Sequence, residues 1–240
     1  IMLALEIKSL TKKFKNGRGI FDIDMEINEG DIFGFLGPNG AGKTTTMKCL
    51  TGLMTPDKGT IEVFGKNVTT EFEGAIRNVG AIIETCEAYD FMTAEKNLAQ
   101  VARYYGNVDS KRIDEVLELV GLLPYRKERV GTFSLGMKQR LGIATAILPK
   151  PGLLVLDEPG NGLDIEGIME IRNILRNLAA NSKTTLLISS HQINEIQQLC
   201  NRIGIIREGK MLLNEYTDTL ESGTSLENVY LESIRKEKVS

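Results

Sequence analysis

The chain contains the stretch IFGFLGPNGAGKT at residues 32–44, an apolar run that leads into a glycine-rich segment. The apolar run predicts a buried strand, and the segment after it fits the pattern G-x-x-x-x-G-K-[ST] of a phosphate-binding loop. Gly40 and Gly42 allow the backbone to curl, so that its N–H groups point at phosphate oxygens. Lys43 supplies a full positive charge to the phosphates, and the Thr44 hydroxyl is suited to bind Mg²⁺. The stretch therefore predicts a site for a nucleoside triphosphate.

The hydrophobic pattern changes along the chain on either side of this loop. The first 30 residues alternate between apolar and polar side chains, which predicts antiparallel strands. Residues 93–148 repeat apolar side chains at helical spacing, and from residue 153 short apolar strands alternate with helices, as in a parallel sheet. We therefore expect an α/β fold of the P-loop NTPase type, with a mainly parallel core sheet, an N-terminal antiparallel β-subdomain and a helical subdomain.

The same pattern predicts how the chain is divided. We expect a single nucleotide-binding domain over residues 1–213, with the helical subdomain at about 86–150 inserted in its core. Residues 214–240 are charged and polar with a weak helical pattern, and they predict a short C-terminal tail.

Composition excludes several classes of protein and of site. The formal net charge is −3, so no global basic surface argues for nucleic acid. The longest stretch without a charged residue has 11 residues, too short to cross a bilayer. The first residues lack a basic start followed by a long apolar run, so we expect no secretory signal. The single histidine excludes a multi-histidine zinc site. Cys49, Cys86 and Cys200 form no CxxC motif, which favours free, buried or half-buried thiols of a cytosolic protein.

Two carboxylates follow the apolar run at residues 153–156, where open α/β sheets bind their ligands. We expect Asp157 to hold Mg²⁺ and Glu158 to orient and deprotonate an attacking water as the general base. The single histidine, His191, follows the next predicted core strand. Two interpretations of it stay open: a structural histidine, or a hydrogen-bond donor that senses the γ-phosphate.

The segment FSLGMKQR at residues 133–140 resembles the signature segment of ATP-binding-cassette (ABC) ATPases. Together with the phosphate loop, the acid pair, GLD at residues 162–164 and the Ser-His pair at 190–191, the chain resembles the nucleotide-binding subunit of an ABC transporter over residues 3–213. Without that resemblance, the signature already predicts a second anion site, because a serine and a glycine stand at the start of a helix.

The resemblance implies a homodimer that forms on ATP binding, and ATP and Mg²⁺ as cofactors. Ser134, Gly136 and Met137 would face the γ-phosphate held by the other subunit, and Asp164 would lie in the loop that links the two sites across the interface. The residues implied at ATP are Phe14, Gly37, Asn39, Gly40, Gly42, Lys43, Thr44 and Thr45. For Phe14, stacking on adenine and a plain core position both remain open. The residues implied at the metal are Thr44, Glu84 and Asp157.

The chain departs from the pattern of the family at three positions. Glu84 stands where most members carry glutamine, and this resembles the bacitracin-resistance and lantibiotic-immunity exporters of Gram-positive bacteria. Three interpretations of this carboxylate stay open. It would bind the metal more strongly than glutamine does, it would repel the phosphates, or it is a local change that says nothing about the transported substrate. Gly160 replaces a usual threonine or serine, and Ile165 replaces a common proline. Neither of these two changes removes a catalytic group.

These observations predict an ATPase that drives a separate integral membrane permease and exports a peptide antibiotic. We expect the chain to be cytoplasmic, peripheral on the inner face of the cell membrane through its permease, and to bind no nucleic acid. The alternatives are the ATPase subunit of another ABC exporter or importer, a non-transport ABC ATPase, and a P-loop kinase in which the signature segment is an accident.

Overall fold

A computed structural model of the protein describes residues 2–85, 87–106, 108–218 and 226–237. The predicted thiol at Cys86 lies outside these residues. Within the described ranges, no helix combines the length and the apolar character that a membrane span requires.

The N-terminal β-subdomain is an antiparallel sheet of four strands in the order β2-β1-β4-β5. Alternating burial along β2 explains its formation, because the isoleucine and methionine side chains of one face are buried while the acidic side chains of the other face are exposed. The predicted antiparallel opening is therefore confirmed. The strands are β1 (Leu3–Lys13), β2 (Gly19–Asn28), β4 (Lys58–Val63) and β5 (Lys66–Asn67).

The core sheet has six strands in the order β10-β9-β3-β8-β7-β6. Four of its five pairings are parallel and only β9 with β10 is antiparallel, so the prediction of a mainly parallel core sheet is confirmed. Its central strands are buried along their whole length, as expected where helices cover both faces. The strands are β3 (Ile32–Leu36), β6 (Val79–Ile82), β7 (Leu153–Asp157), β8 (Thr185–Ser190), β9 (Arg202–Arg207) and β10 (Lys210–Tyr216).

Helices connect these strands, and three of them pack together as the predicted helical region. Thr93 and Asp109 cap α3 and α4 by accepting backbone N–H groups, as expected of residues at helix starts. Apolar side chains from α3, α4 and α5 form one buried cluster that continues onto the core sheet through Leu154 and Leu156. The helices are α1 (Lys43–Leu50), α2 (Phe72–Ile76), α3 (Ala94–Ala102), α4 (Ser110–Leu119), α5 (Leu135–Ile147), α6 (Ile165–Ser182), α7 (Ile193–Leu199) and α8 (Leu226–Glu237).

The C-terminal part of the chain packs on the core. Strand β10 continues through Tyr216, beyond the predicted end of the ATPase domain at residue 213. Leu226, the first residue of α8, is buried in a cluster with Ile196 and Ile203. Val229 and Tyr230 of the same helix also pack against this cluster. The mainly charged and polar composition of the segment did not reveal the contact, because only a few apolar side chains make it.

Candidate functional site

The phosphate-binding loop lies between β3 and α1 and is held by its own lysine. Gly40 and Gly42 have φ angles of 79° and 114°, in the left-handed region that favours glycine. Lys43 is buried, and its Nζ donates to the carbonyl oxygens of Gly37 and Pro38 at 2.7 and 3.3 Å. The loop therefore has the curled form that the sequence predicts, with a positive charge at its centre.

The hydroxyl and the carboxylate predicted to hold the metal lie in contact. Thr44 Oγ1 at the start of α1 donates to Asp157 Oδ2 at 2.7 Å. Asp157 is the last residue of β7 and is 5% exposed. Its other oxygen, Oδ1, accepts from Ser189 Oγ at 2.6 Å. Both oxygens are therefore fixed in direction, one towards the phosphate loop and one towards β8.

Ser189 is a residue of the site that the motif analysis missed. Its buried Oγ donates to Asp157 and also accepts the backbone N–H of Glu158 at 2.9 Å. It reaches both because the parallel register of β7 and β8 places Asp157 opposite Ser189. The one available signal was its position, two residues before His191 on the neighbouring predicted strand.

Glu158 lies between the phosphate-binding lysine and the only histidine. Its Oε1 is 3.1 Å from Lys43 Nζ, and its Oε2 is 2.9 Å from His191 Nδ1. The backbone of Glu158 is in the left-handed region with φ at 49°, which holds the side chain over the loop. The structure thus brings together the predicted general base and the predicted γ-phosphate contact.

An open pocket lies beside the loop and is lined by residues of three chain segments. Phe14 lies at its edge and is 37% exposed, so it is not a plain core residue. Two residues of the β1–β2 turn, Asn16 and Arg18, also line the pocket and were not predicted. The predicted ATP-binding residues that line it are Phe14, Asn39, Gly40, Gly42, Lys43, Thr44 and Thr45.

The donor set fits Mg²⁺ with two protein ligands. Mg²⁺ is commonly bound by one or two carboxylates together with substrate phosphates and water, and a threonine hydroxyl beside one carboxylate matches this use. Within the described ranges, no three His, Cys, Asp or Glu side chains cluster as a metal cage. Glu84, the third predicted ligand, has its Oε1 2.7 Å from Lys48 Nζ. The structure therefore pairs Glu84 with a lysine and brings only Thr44 and Asp157 together.

The signature segment forms a second, separate pocket. Ser134 caps α5, with its Oγ accepting the N–H of Met137 at 3.2 Å. A Cβ built on Gly136 would have its nearest neighbour, Leu163, at 3.8 Å, so this turn is open on one side. Asp164 caps α6 by accepting from Gly167 N–H at 2.8 Å, and it lines the same open pocket as Ser134 and Gly136. This pocket and the phosphate-loop pocket share no lining residue.

Comparison with known proteins gives one consistent result. The family model of the ABC transporter matches residues 20–161. The bacitracin transport ATP-binding protein BcrA of Bacillus licheniformis is 47% identical over 208 residues, which cover 87% of this chain and 68% of that protein. The lantibiotic transport ATP-binding protein SrtF of Streptococcus pyogenes is 39% identical over 98% of this chain and 99% of its own.

A solved structure described as the ATP-binding subunit of an ABC transporter has a TM-score of 0.85 to this chain, with 29% identity, covering 96% of this chain and 99% of that one. These findings confirm the resemblance drawn from the motifs, and they confirm the P-loop NTPase fold. With a phosphate loop, an acid pair and a signature pocket in one fold, the chain belongs to the ABC transporter family, as an ATP-binding subunit that hydrolyses ATP.

Proposed function

We propose that two copies of this chain bind ATP between them and hydrolyse it to drive a separate membrane permease that exports a peptide antibiotic. The observation that supports a dimer is that one chain has two separate pockets. One pocket offers a lysine and curled backbone N–H groups, and the other offers a capped helix start with an open glycine. Each is half of a phosphate site, so a head-to-tail pair of chains completes both.

The chemistry follows from the groups around Glu158. Lys43 and the loop N–H groups bind the phosphates, and the signature helix of the partner approaches the γ-phosphate from the other side. A bound Mg²⁺, held by Thr44 and Asp157, would neutralise charge on the β- and γ-phosphates. Glu158 accepts a proton from water as the water oxygen bonds to the γ-phosphorus and the bond to the β-phosphate oxygen breaks. ADP and phosphate result.

His191 supports this step through Glu158. Its Nδ1 is within hydrogen-bond distance of Glu158 Oε2, so it fixes the direction of the carboxylate that takes the proton. When nucleotide is bound, the same ring is placed to donate to the γ-phosphate. After hydrolysis the ring would lose the γ-phosphate as a hydrogen-bond partner. His191 would thereby sense the loss of the γ-phosphate, the role that the sequence left open.

The substrate class is proposed from the relatives. Two of them are described as bacitracin and lantibiotic transport ATP-binding proteins. We extend this to export of a peptide antibiotic, with the chain on the cytoplasmic face of the membrane against its permease. The competing importer and kinase functions differ in their products: uptake of a solute, or a phosphorylated acceptor in place of free phosphate.

The dimer is tested with the Glu158→Gln variant, which keeps the pocket but loses the base. With ATP, light scattering is expected to give twice the mass of the protomer, and without ATP the mass of one protomer. Glu158→Gln combined with Lys43→Ala is the matched control, and it should remain a monomer because it cannot hold the phosphates. A Glu158→Gln variant that hydrolyses ATP at the wild-type rate would contradict the assignment of the base.

The substrate is tested in cells that produce the chain with permease subunits encoded beside its gene. We expect a raised minimal inhibitory concentration for bacitracin or a lantibiotic and no change for an unrelated antibiotic such as chloramphenicol. The Glu158→Gln variant of the same chain is the control. Equal resistance with and without hydrolysis, or no resistance to either peptide, would refute the proposed export.

A further inference from the structure

Glu84 follows the end of β6, next to the strand that carries the metal-binding carboxylate. Ile82 of β6 lies opposite Leu156 of β7, so the chain leaves β6 at the same edge of the sheet where Asp157 ends β7. The Glu84 backbone has φ at 66°, a conformation that non-glycine residues seldom adopt. The backbone therefore places this carboxylate at the edge where the phosphates bind.

Lys48 contacts that carboxylate from the phosphate-binding helix. Its Nζ lies 2.7 Å from Glu84 Oε1, and the two side chains are 26% and 61% exposed. Thr44 and Lys48 are four residues apart on α1, so they share one face of the helix, with about 5–6 Å between their Cβ atoms. One turn of α1 thus separates the contact between Thr44 and Asp157 from the contact between Lys48 and Glu84.

The charges explain why this pairing matters. A carboxylate without a partner close to a triphosphate repels it, and in a partly exposed site this repulsion is substantial at low salt. An ammonium at 2.7 Å neutralises the carboxylate and holds it one turn of α1 away from the Asp157 contact. Glu84 stands in place of a neutral glutamine, and Lys48 of the same chain offsets the negative charge that it adds.

We propose that Lys48 is a positioning residue, which binds Glu84 and keeps its charge from acting on the phosphates and on the metal site. This rests on the proposed function, because it concerns charges on the helix that begins at the phosphate loop, next to the nucleotide pocket. Under this proposal Glu84 acts as one half of an ion pair that joins the segment after β6 to α1.

The test is a double-mutant cycle on ATP affinity, measured in EDTA so that no metal and no hydrolysis contribute. Lys48→Met frees the carboxylate and is expected to weaken ATP binding roughly three- to fivefold at low ionic strength, an effect that screening by salt reduces. Lys48→Met combined with Glu84→Gln should restore the affinity of the wild type. Glu84→Gln alone should bind ATP as well as the wild type or better.

Arg126→Met is the matched control for loss of a surface ion pair. Arg126 pairs with Glu95 and Asp114 in the helical region, outside both pockets, and its loss should leave ATP affinity unchanged. Equal weakening in Lys48→Met and in the double variant would overturn the proposal, because Lys48 would then contact the phosphates itself. No weakening in Lys48→Met would also overturn it. Absence of ATP binding in the wild-type chain, also when Mg²⁺ is supplied, would instead refute the proposed function.

Discussion

Glu158 Oε1 lies 3.1 Å from Lys43 Nζ, so the general base of the site is paired with the lysine that binds the phosphates. Lys43 is buried and also donates to two loop carbonyls, which leaves its ammonium little freedom to turn elsewhere. An incoming γ-phosphate must therefore compete with Glu158 for this ammonium. When it succeeds, the carboxylate is released from Lys43 and becomes available to water.

Replacement of Glu158 by glutamine should separate binding from hydrolysis. The amide keeps the size of the side chain but has no negative charge, so the phosphates no longer compete with it and ATP should bind more tightly. Loss of the base should lower the hydrolysis rate by roughly 10²- to 10⁴-fold. Equilibrium binding of a fluorescent ATP analogue and phosphate release check the two expectations. Weaker binding by the variant would contradict the competition between Glu158 and phosphate.

Ser189→Ala should lower the hydrolysis rate more than the affinity for ATP. The change leaves a buried carboxylate oxygen of Asp157 and the N–H of Glu158 without their shared partner, a cost of about 1–3 kcal/mol. The carboxylates lose their alignment while the phosphate loop is untouched. Steady-state kinetics and chemical denaturation provide the measurements. Ser190→Ala is the control, because its hydroxyl bonds to Glu195 and not to Asp157.

The sequence predicts those parts of the site that are local in the chain. The phosphate loop and the acid pair each follow one strand, so the residue types and their spacing are sufficient to assign them. The sequence did not predict Ser189 as a site residue, because its role depends on the register between β7 and β8, which no short motif encodes. The sequence did not predict Lys48 as the partner of Glu84 for a similar reason, since this contact depends on where the segment after β6 lies against α1. Phe14 needed the structure to decide between a core position and the pocket.

Gly160→Ser should stabilise the protein relative to Gly160→Ala. A Cβ at Gly160 would lie 3.0 Å from Glu195 Oε1, a buried oxygen without a hydrogen-bond partner among the described residues. The Gly160 backbone does not need the left-handed conformation. Either Cβ requires the Glu195 carboxylate to shift by a few tenths of an ångström, and after that shift a serine hydroxyl donates to the oxygen for a gain of about 1 kcal/mol. Alanine supplies the same Cβ without the hydroxyl. Equal unfolding free energies of the two variants would refute the predicted contact.

Cys49 and Cys200 should resist alkylation until the chain unfolds. Burial raises the pKa of the Cys49 thiol to about 11 and also raises the pKa of Cys200, so almost no reactive thiolate is present at pH 8. In a Cys86→Ser variant, iodoacetamide at pH 8 should leave the native protein unlabelled, and both remaining cysteines should react in guanidinium chloride. Mass spectrometry gives the number of labels. Rapid labelling of the native variant would contradict the buried state of both thiols.

The position of β3 in the core sheet has a consequence for synthesis of the protein. This strand carries the phosphate loop and ends at Leu36, yet it pairs only with β8 and β9, which begin at Thr185 and Arg202. A ribosome thus completes the loop early and supplies the strands that support it late. Pairings between such distant segments form slowly, so we expect the nascent chain to bind nucleotide only after β8 and β9 have been synthesised.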